Sequence, residues 1–151
     1  DPWQLIDLLA LGSTVALGIG RMANFINGEL YGRVTDVPWS MVFPMGGPEP
    51  RHPSQLYEAF GEGVLLYSVL WIVLKRYNPK PGILFGLYLM GYGLVRFIIE
   101  FFREPDAHLG AVLGFLSMGQ CLCCVMIVLG VGVIVYRNKS LDDGACLHRG
   151  S

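Results

Sequence analysis

The stretch Gly82-Ile83-Leu84-Phe85-Gly86-Leu87-Tyr88-Leu89-Met90-Gly91-Tyr92-Gly93-Leu94-Val95-Arg96-Phe97-Ile98-Ile99-Glu100-Phe101-Phe102 decides the class of fold. It is long enough to cross a bilayer, for which about 20 mostly apolar residues suffice. It carries two charged side chains, Arg96 and Glu100, where hydrocarbon would surround them. Three other stretches share its character: about 5–26, 59–77 and 111–136. Turn signals at Asn78-Pro79-Lys80-Pro81-Gly82 and Glu104-Pro105-Asp106 separate the last three. The expected architecture is all-α, a polytopic transmembrane helix bundle of four spans. A long extracytoplasmic segment, about 27–58, joins the first two, and the whole of 1–151 forms a single membrane domain.

Composition agrees. Of 151 residues, 53% are apolar and 15% charged, against roughly 25% charged in soluble domains. The mean hydropathy is +0.49. Eleven Lys and Arg against twelve Asp and Glu leave a net charge of −1, with no basic excess for phosphate backbones, so no nucleic acid partner is expected. The chain opens at Asp1 with no Met or basic n-region, so no secretory signal is read. No internal repeat occurs. Cys121, Cys123 and Cys124 fall inside the fourth span and Cys146 beyond it; without paired CxxC spacing they read as packing residues, and neither a metal site nor a cofactor is expected.

Four spans put both ends on one side. That side collects Lys75, Arg76, Lys80, Arg137, Lys139 and Arg149, whereas the other has Arg33, Arg51 and Arg103. The positive-inside bias therefore places both ends, the 78–81 turn and a tail at 137–151 in the cytoplasm. Trp71, Tyr77 and Tyr136 fit an aromatic belt near that side, or ordinary packing. Gly12, Ala16 and Gly20 recur every four residues and suit close helix packing.

Ionisable groups in hydrocarbon cost roughly 2.5–3.5 kcal/mol each on insertion scales and usually face a bundle interior or a wet cavity. Tyr92, Arg96, Glu100 and Arg103 fall on one helix face, within an arc of about 80°. Arg96 and Glu100, four residues apart, either neutralise each other and lock the bundle or leave a guanidinium fork for an anionic group. A second cluster runs Gly20-Arg21-Met22-Ala23-Asn24-Phe25-Ile26-Asn27-Gly28-Glu29-Leu30-Tyr31-Gly32-Arg33. There Arg21, Asn24 and Asn27 share a face if the helix continues, and Gly28 and Gly32 allow a turn or a close approach. It reads as a helix end or as a ligand site. A third is Arg51-His52-Pro53-Ser54-Gln55-Leu56-Tyr57-Glu58, followed by Glu62, with Gln55, Glu58 and Glu62 on one face. His52 reads as a loop or cap residue, or as a fallback proton acceptor.

In order and with this span pattern, the strings from Gly20 to Gly32, from His52 to Glu58, and Gly91-Tyr92-Gly93 through Arg96 to Glu100-Phe101-Phe102-Arg103 resemble bacterial prolipoprotein diacylglyceryl transferases. The resemblance covers about 5–136 and corresponds to the carboxy-terminal half of that family. It implies a transferase of the bacterial inner membrane, with a seven-span fold whose last four spans these are. Such enzymes move the diacylglyceryl group of phosphatidylglycerol, a membrane lipid, to the lipobox cysteine of a prolipoprotein signal peptide and release glycerol 1-phosphate. Arg21, Asn24, Glu29, Gly32, Tyr92, Arg96 and Glu100 match family positions tied to activity or lipid binding. Arg21, Arg96, Glu100 and Tyr92 are the catalytic candidates. Arg21 also joins Asn24, Asn27, Glu29, Gly32, His52, Gln55, Glu58 and Arg103 as candidates for substrate binding. The family's His-Gly-Gly motif, in three further spans, is absent from this sequence. The competing readings are a silent phospholipid-binding fragment, and a transporter or proton relay, for which repeated halves would be the sign.

Overall fold

The computed structural model describes residues 1–103 and 117–148. The expected turn at Glu104-Pro105-Asp106, the first residues of the expected 111–136 span, the Cys146 side chain and Arg149 lie outside the described residues. The regular elements are α1 (Pro2–Asn27), α2 (Ser54–Glu58), a π-helical segment (Ala59–Leu65), α3 (Leu66–Tyr77), α4 (Ile83–Ile99) and α5 (Met118–His148). From Ser54 to Tyr77 the helix is continuous. Pro2–Asn27, Ser54–Tyr77 and Met118–Ser140 are long and apolar enough to cross a membrane, and α4 is a shorter apolar helix of 17 residues. At 1.5 Å per residue α4 is about 25 Å long, slightly less than the roughly 30 Å hydrocarbon core.

The fourth helix differs most from expectation, starting at Met118 rather than near Ala111. Its start is set by a reciprocal cap: Gln120 N–H donates to Ser117 Oγ at 3.2 Å, and Ser117 N–H donates to Gln120 Oε1 at 3.0 Å. That Ser-x-x-Gln box satisfies two otherwise orphaned donors. The helix then runs to His148, so most of the expected 137–151 tail is helical.

One end of the bundle is clasped by polar contacts. Asp7 of α1 accepts from Gly82 N at 2.7 Å and Phe85 N at 2.8 Å, capping α4 from a neighbouring helix. Buried Arg137 of α5 donates from Nε to Pro81 O at 2.8 Å, and its guanidinium lies over the Trp3 ring. The start of α1, the 78–82 turn and Arg137 therefore share one end, and the last residues of α5 extend beyond it. Asp7→Ala, which strands both amides, is expected to lower stability by about 1–2 kcal/mol, read as a lower unfolding midpoint in detergent.

Between the ends, Leu11, Leu66, Leu70 and Leu84 form the buried core, with Tyr92 packed against it. The Gly12, Ala16, Gly20 stripe does not make the close crossing. A Cβ on Gly12 or Gly20 would meet open space, whereas one on Gly63 would stand 2.8 Å from the Gly18 Cα. Side chains one turn away decide this, because α1 must turn Thr14 and Arg21 toward the π segment. That rotation brings Gly18 inward and leaves Gly12 and Gly20 exposed.

At the other end the segment from Gly28 to Pro53 is ordered by its own small core. Phe43, 4% exposed, packs edge-on against Phe25 and face-on against Tyr31, whose other neighbour is the Arg51 guanidinium. Isolated antiparallel bridges pair Val34 and Met41 with Arg51, and Gly32 with Arg103.

Candidate functional site

The polar residues of three helices meet near this second end. Arg21 comes from α1, Glu58 closes α2, Glu62 sits in the π segment, and Arg96 lies in the last turn of α4 with Glu100 and Arg103 just beyond it. The helix of α1 does continue through Asn27, with Gly28 in the left-handed conformation as its stop (φ 70°). Arg21, Asn24 and Asn27 therefore share a face.

Glu58 is the hub. It is 1% exposed; its Oε1 pairs with Arg96 Nη1 and lies 3.5 Å from Arg103 Nη1, and its Oε2 lies 3.1 Å from Arg21 Nη1. Glu62, with no exposed surface, bridges two of the same arginines. Its Oε2 is 3.4 Å from Arg21 Nε and its Oε1 is 3.7 Å from Arg96 Nη1. Glu100 completes the set, 3.7 Å from Arg96 Nη2. Among the described residues the cluster thus balances three guanidinium groups against three carboxylates. This matching is what makes so many buried charges tolerable, since a buried ion without partners is costly.

The expected i,i+4 pair of Arg96 with Glu100 is present, but it is not the closest contact of Arg96. Glu58, from another helix, is its nearest partner. Glu100 also reaches the start of α5, where the Ser117 hydroxyl donates to its Oε1 at 3.1 Å and Gly119 leaves space for it. A carboxylate at a helix N-terminus is stabilised by the dipole there.

The remaining candidates surround this cluster. Tyr92, one turn before Arg96, stacks on Tyr88 with ring centres 6.0 Å apart. Asn24 is half-buried and Asn27 exposed. Glu29 is exposed, and its carbonyl accepts from the amide of fully buried Gln55 at 2.5 Å. Gly32 makes a close approach to protein backbone: its N–H donates to His52 O at 2.9 Å, and a Cβ there would stand 2.5 Å from Phe102 O. That contact holds the 28–53 segment against Arg103, and Arg33 reinforces it by donating from Nε to Arg103 O at 2.7 Å.

His52 sits in an aromatic nest with Tyr57 and Phe102. Trp39 Nε1–H donates to Tyr57 Oη at 2.7 Å, and Tyr57 Oη is 3.1 Å from His52 Nδ1. Tyr57 Oη thus links the indole N–H of Trp39 to the His52 ring.

Sequence reasoning left two members out of the site. Glu62 stood on the same face as Gln55 and Glu58, which was the available signal. Ser117 carried the Ser-x-x-Gln signature but lay within an apolar run where hydropathy dominates.

An apolar groove of about 570 Å³ runs beside the cluster between α1 and the Ser54–Tyr77 helix, lined by Val15, Ile19, Met22, Phe60, Val64 and Tyr67 among others. Its floor is the Gly18–Gly63 contact.

Apolar helices enclosing a buried arginine–glutamate centre define a multi-pass helical membrane protein with a polar site inside the bundle. The chain belongs to the prolipoprotein diacylglyceryl transferase family, whose model matches residues 1–136. It is similar to the phosphatidylglycerol–prolipoprotein diacylglyceryl transferases of Brucella anthropi (51% identical over 146 residues, 95% of this chain and 52% of the relative) and Vibrio campbellii (57% over 135 residues, 88% and 48%). That of Geobacter sulfurreducens is 55% identical over 137 residues, 89% of this chain and 52% of the relative. The chain spans about half the length of the curated relatives it matches.

Proposed function

We propose that this chain supplies the phosphate-gripping half of a phosphatidylglycerol–prolipoprotein diacylglyceryl transferase. It would act in the bacterial inner membrane, with both ends of the chain cytoplasmic and the 28–53 segment outside. The observation that carries this reading is the convergence of Arg21 and Arg96, from different helices, on one buried cluster. Planar guanidinium forks match phosphate oxygens and keep their charge.

In the reaction, the lipobox cysteine sulfur attacks the glycerol carbon bearing the phosphate ester. The new C–S bond replaces the C–O bond, and glycerol 1-phosphate departs with the bonding electrons. Arg21 and Arg96 stabilise the charge that builds on the departing phosphate, where preorganised donors act most strongly. Glu100 positions Arg96, Asn24 or Glu29 binds the head-group hydroxyls, and Tyr92 donates to a phosphate or ester oxygen. The groove beside Arg21 suits an acyl chain, being apolar and open along a lipid-facing helix pair. A base must take the thiol proton, since a free thiol has a pKa near 8.5. His52, hydrogen-bonded to Tyr57, is the fallback candidate for that role among the residues of this chain.

The test is a half-swap. This chain replaces the matching half of the Vibrio campbellii relative, and a lipobox peptide is incubated with the hybrid and phosphatidylglycerol. A gain of one diacylglyceryl mass on the cysteine is expected. A well-expressed hybrid that leaves the peptide unmodified would contradict the reading.

A further inference from the structure

Glu62 has no part in the steps above, yet it is the least satisfied charge in the molecule's polar centre. Among the described residues neither of its carboxylate oxygens has a hydrogen-bond partner, although both are buried. Glu58 has Arg96 as a hydrogen-bond donor to one oxygen, and Glu100 has Ser117. A buried acceptor left without a hydrogen bond forfeits its full desolvation cost. Its position is equally specific: one oxygen faces Arg21 and the other faces Arg96, at 3.4 and 3.7 Å. That is how two non-bridging oxygens of a phosphate would sit between the same two forks. Glu62 is also carried on the π segment, a rare helix form that concentrates at functional sites.

We propose that Glu62 is a built-in stand-in for the phosphate: its carboxylate holds the arginines in place between turnovers and must give way when a glycerophosphate group enters. This rests on the reading of Arg21 and Arg96 as phosphate grips. A cluster already balanced in charge has little attraction for another anion, so one carboxylate has to yield. Among the described residues Glu62 is the carboxylate of the cluster held by ion pairs without a hydrogen bond. Its competition would keep the product from sticking after transfer, because the carboxylate returns as glycerol phosphate leaves.

The experiment compares the wild-type chain, Glu62→Gln and Glu62→Asp in nanodiscs, with unfolding midpoints measured alongside. Two probes are titrated: soluble glycerol 1-phosphate, with glycerol as the neutral control, and phosphatidylglycerol. Glu62→Gln keeps the shape and removes the competing charge, so glycerol 1-phosphate is expected to bind tighter by on the order of tenfold, with no change for glycerol. Glu62→Asp withdraws the carboxylate and should fall between the two; it carries the test if Glu62→Gln fails to fold. A gain with both probes assigns the seat to substrate and product, and a gain with glycerol 1-phosphate alone assigns it to the product. Wild-type binding with no gain in a folded variant overturns the role of Glu62 and leaves the arginine grip standing. Binding of neither probe by any of the three proteins removes the grip and the stand-in together.

Discussion

Glu58→Leu is expected to destabilise the bundle by about 3–5 kcal/mol, the range for removing one partner from a buried ion pair. The loss comes from what remains. Arg21, Arg96 and Arg103 all face this one carboxylate; without it, three guanidinium groups crowd two carboxylates inside an apolar bundle. Leucine adds nothing that hydrogen-bonds, so among the described residues the helix pair α1 and Ser54–Tyr77 keeps only the Arg21–Glu62 contact as its ionic tie. Glu58→Gln keeps the volume and one acceptor and should fall between wild type and Glu58→Leu. Denaturant titration in detergent micelles reads both. A loss below about 1 kcal/mol for Glu58→Leu, as for an exposed pair, would show that the cluster is not buried as described.

Arg96→Lys is expected to have the largest effect on chemistry, a fall in transfer of about 10²–10³, the cost of losing one preorganised donor to a developing anion. Arg96 touches Glu58, Glu62 and Glu100 at once, a task that a planar fork performs and a point charge does not. Lysine retains the charge, so overall stability should change less than in Glu58→Leu. Measured as diacylglyceryl mass gain on a lipobox peptide in the half-swapped enzyme, near-normal transfer by Arg96→Lys would remove the argument from fork geometry.

How much of this was legible before the fold was known depended on the range of the interaction. The three long apolar helices were legible, because about 20 apolar residues are a local property. So was the suspicion attached to Arg21, Glu58, Arg96 and Glu100, since charges in hydrocarbon demand a reason. Their pairing was legible only in part. The i,i+4 spacing offered the Arg96–Glu100 pair, which the structure holds at 3.7 Å, but not the nearer partner Glu58, 38 positions away. What brings it there is the packing of the π segment on α4, where a Cβ on Gly61 would stand 2.6 Å from Val95. No period in the sequence marks a single extra residue in a helical turn, and the visible stripe of Gly12, Ala16 and Gly20 pointed to the wrong face. The start of α5 shows the converse. Ser117-Met118-Gly119-Gln120 announces a capped helix locally, but hydropathy, which averages over a window, passes over it. The 28–53 segment read as a loop because its order comes from an aromatic core of Phe25, Tyr31 and Phe43 and from bridges to Arg51 and Arg103, all long-range.

The central claim is that Arg21 and Arg96 together hold the phosphate of one phospholipid. Solid-state NMR of the chain, with ¹⁵N-labelled arginine in phosphatidylglycerol bilayers, measures it directly through ³¹P–¹⁵N distances. One lipid phosphorus within roughly 5 Å of both guanidinium groups is the expected result, as hydrogen-bonded forks require. Phosphorus close to Arg33 or Arg51 at the surface, with none near Arg21 or Arg96, would contradict it.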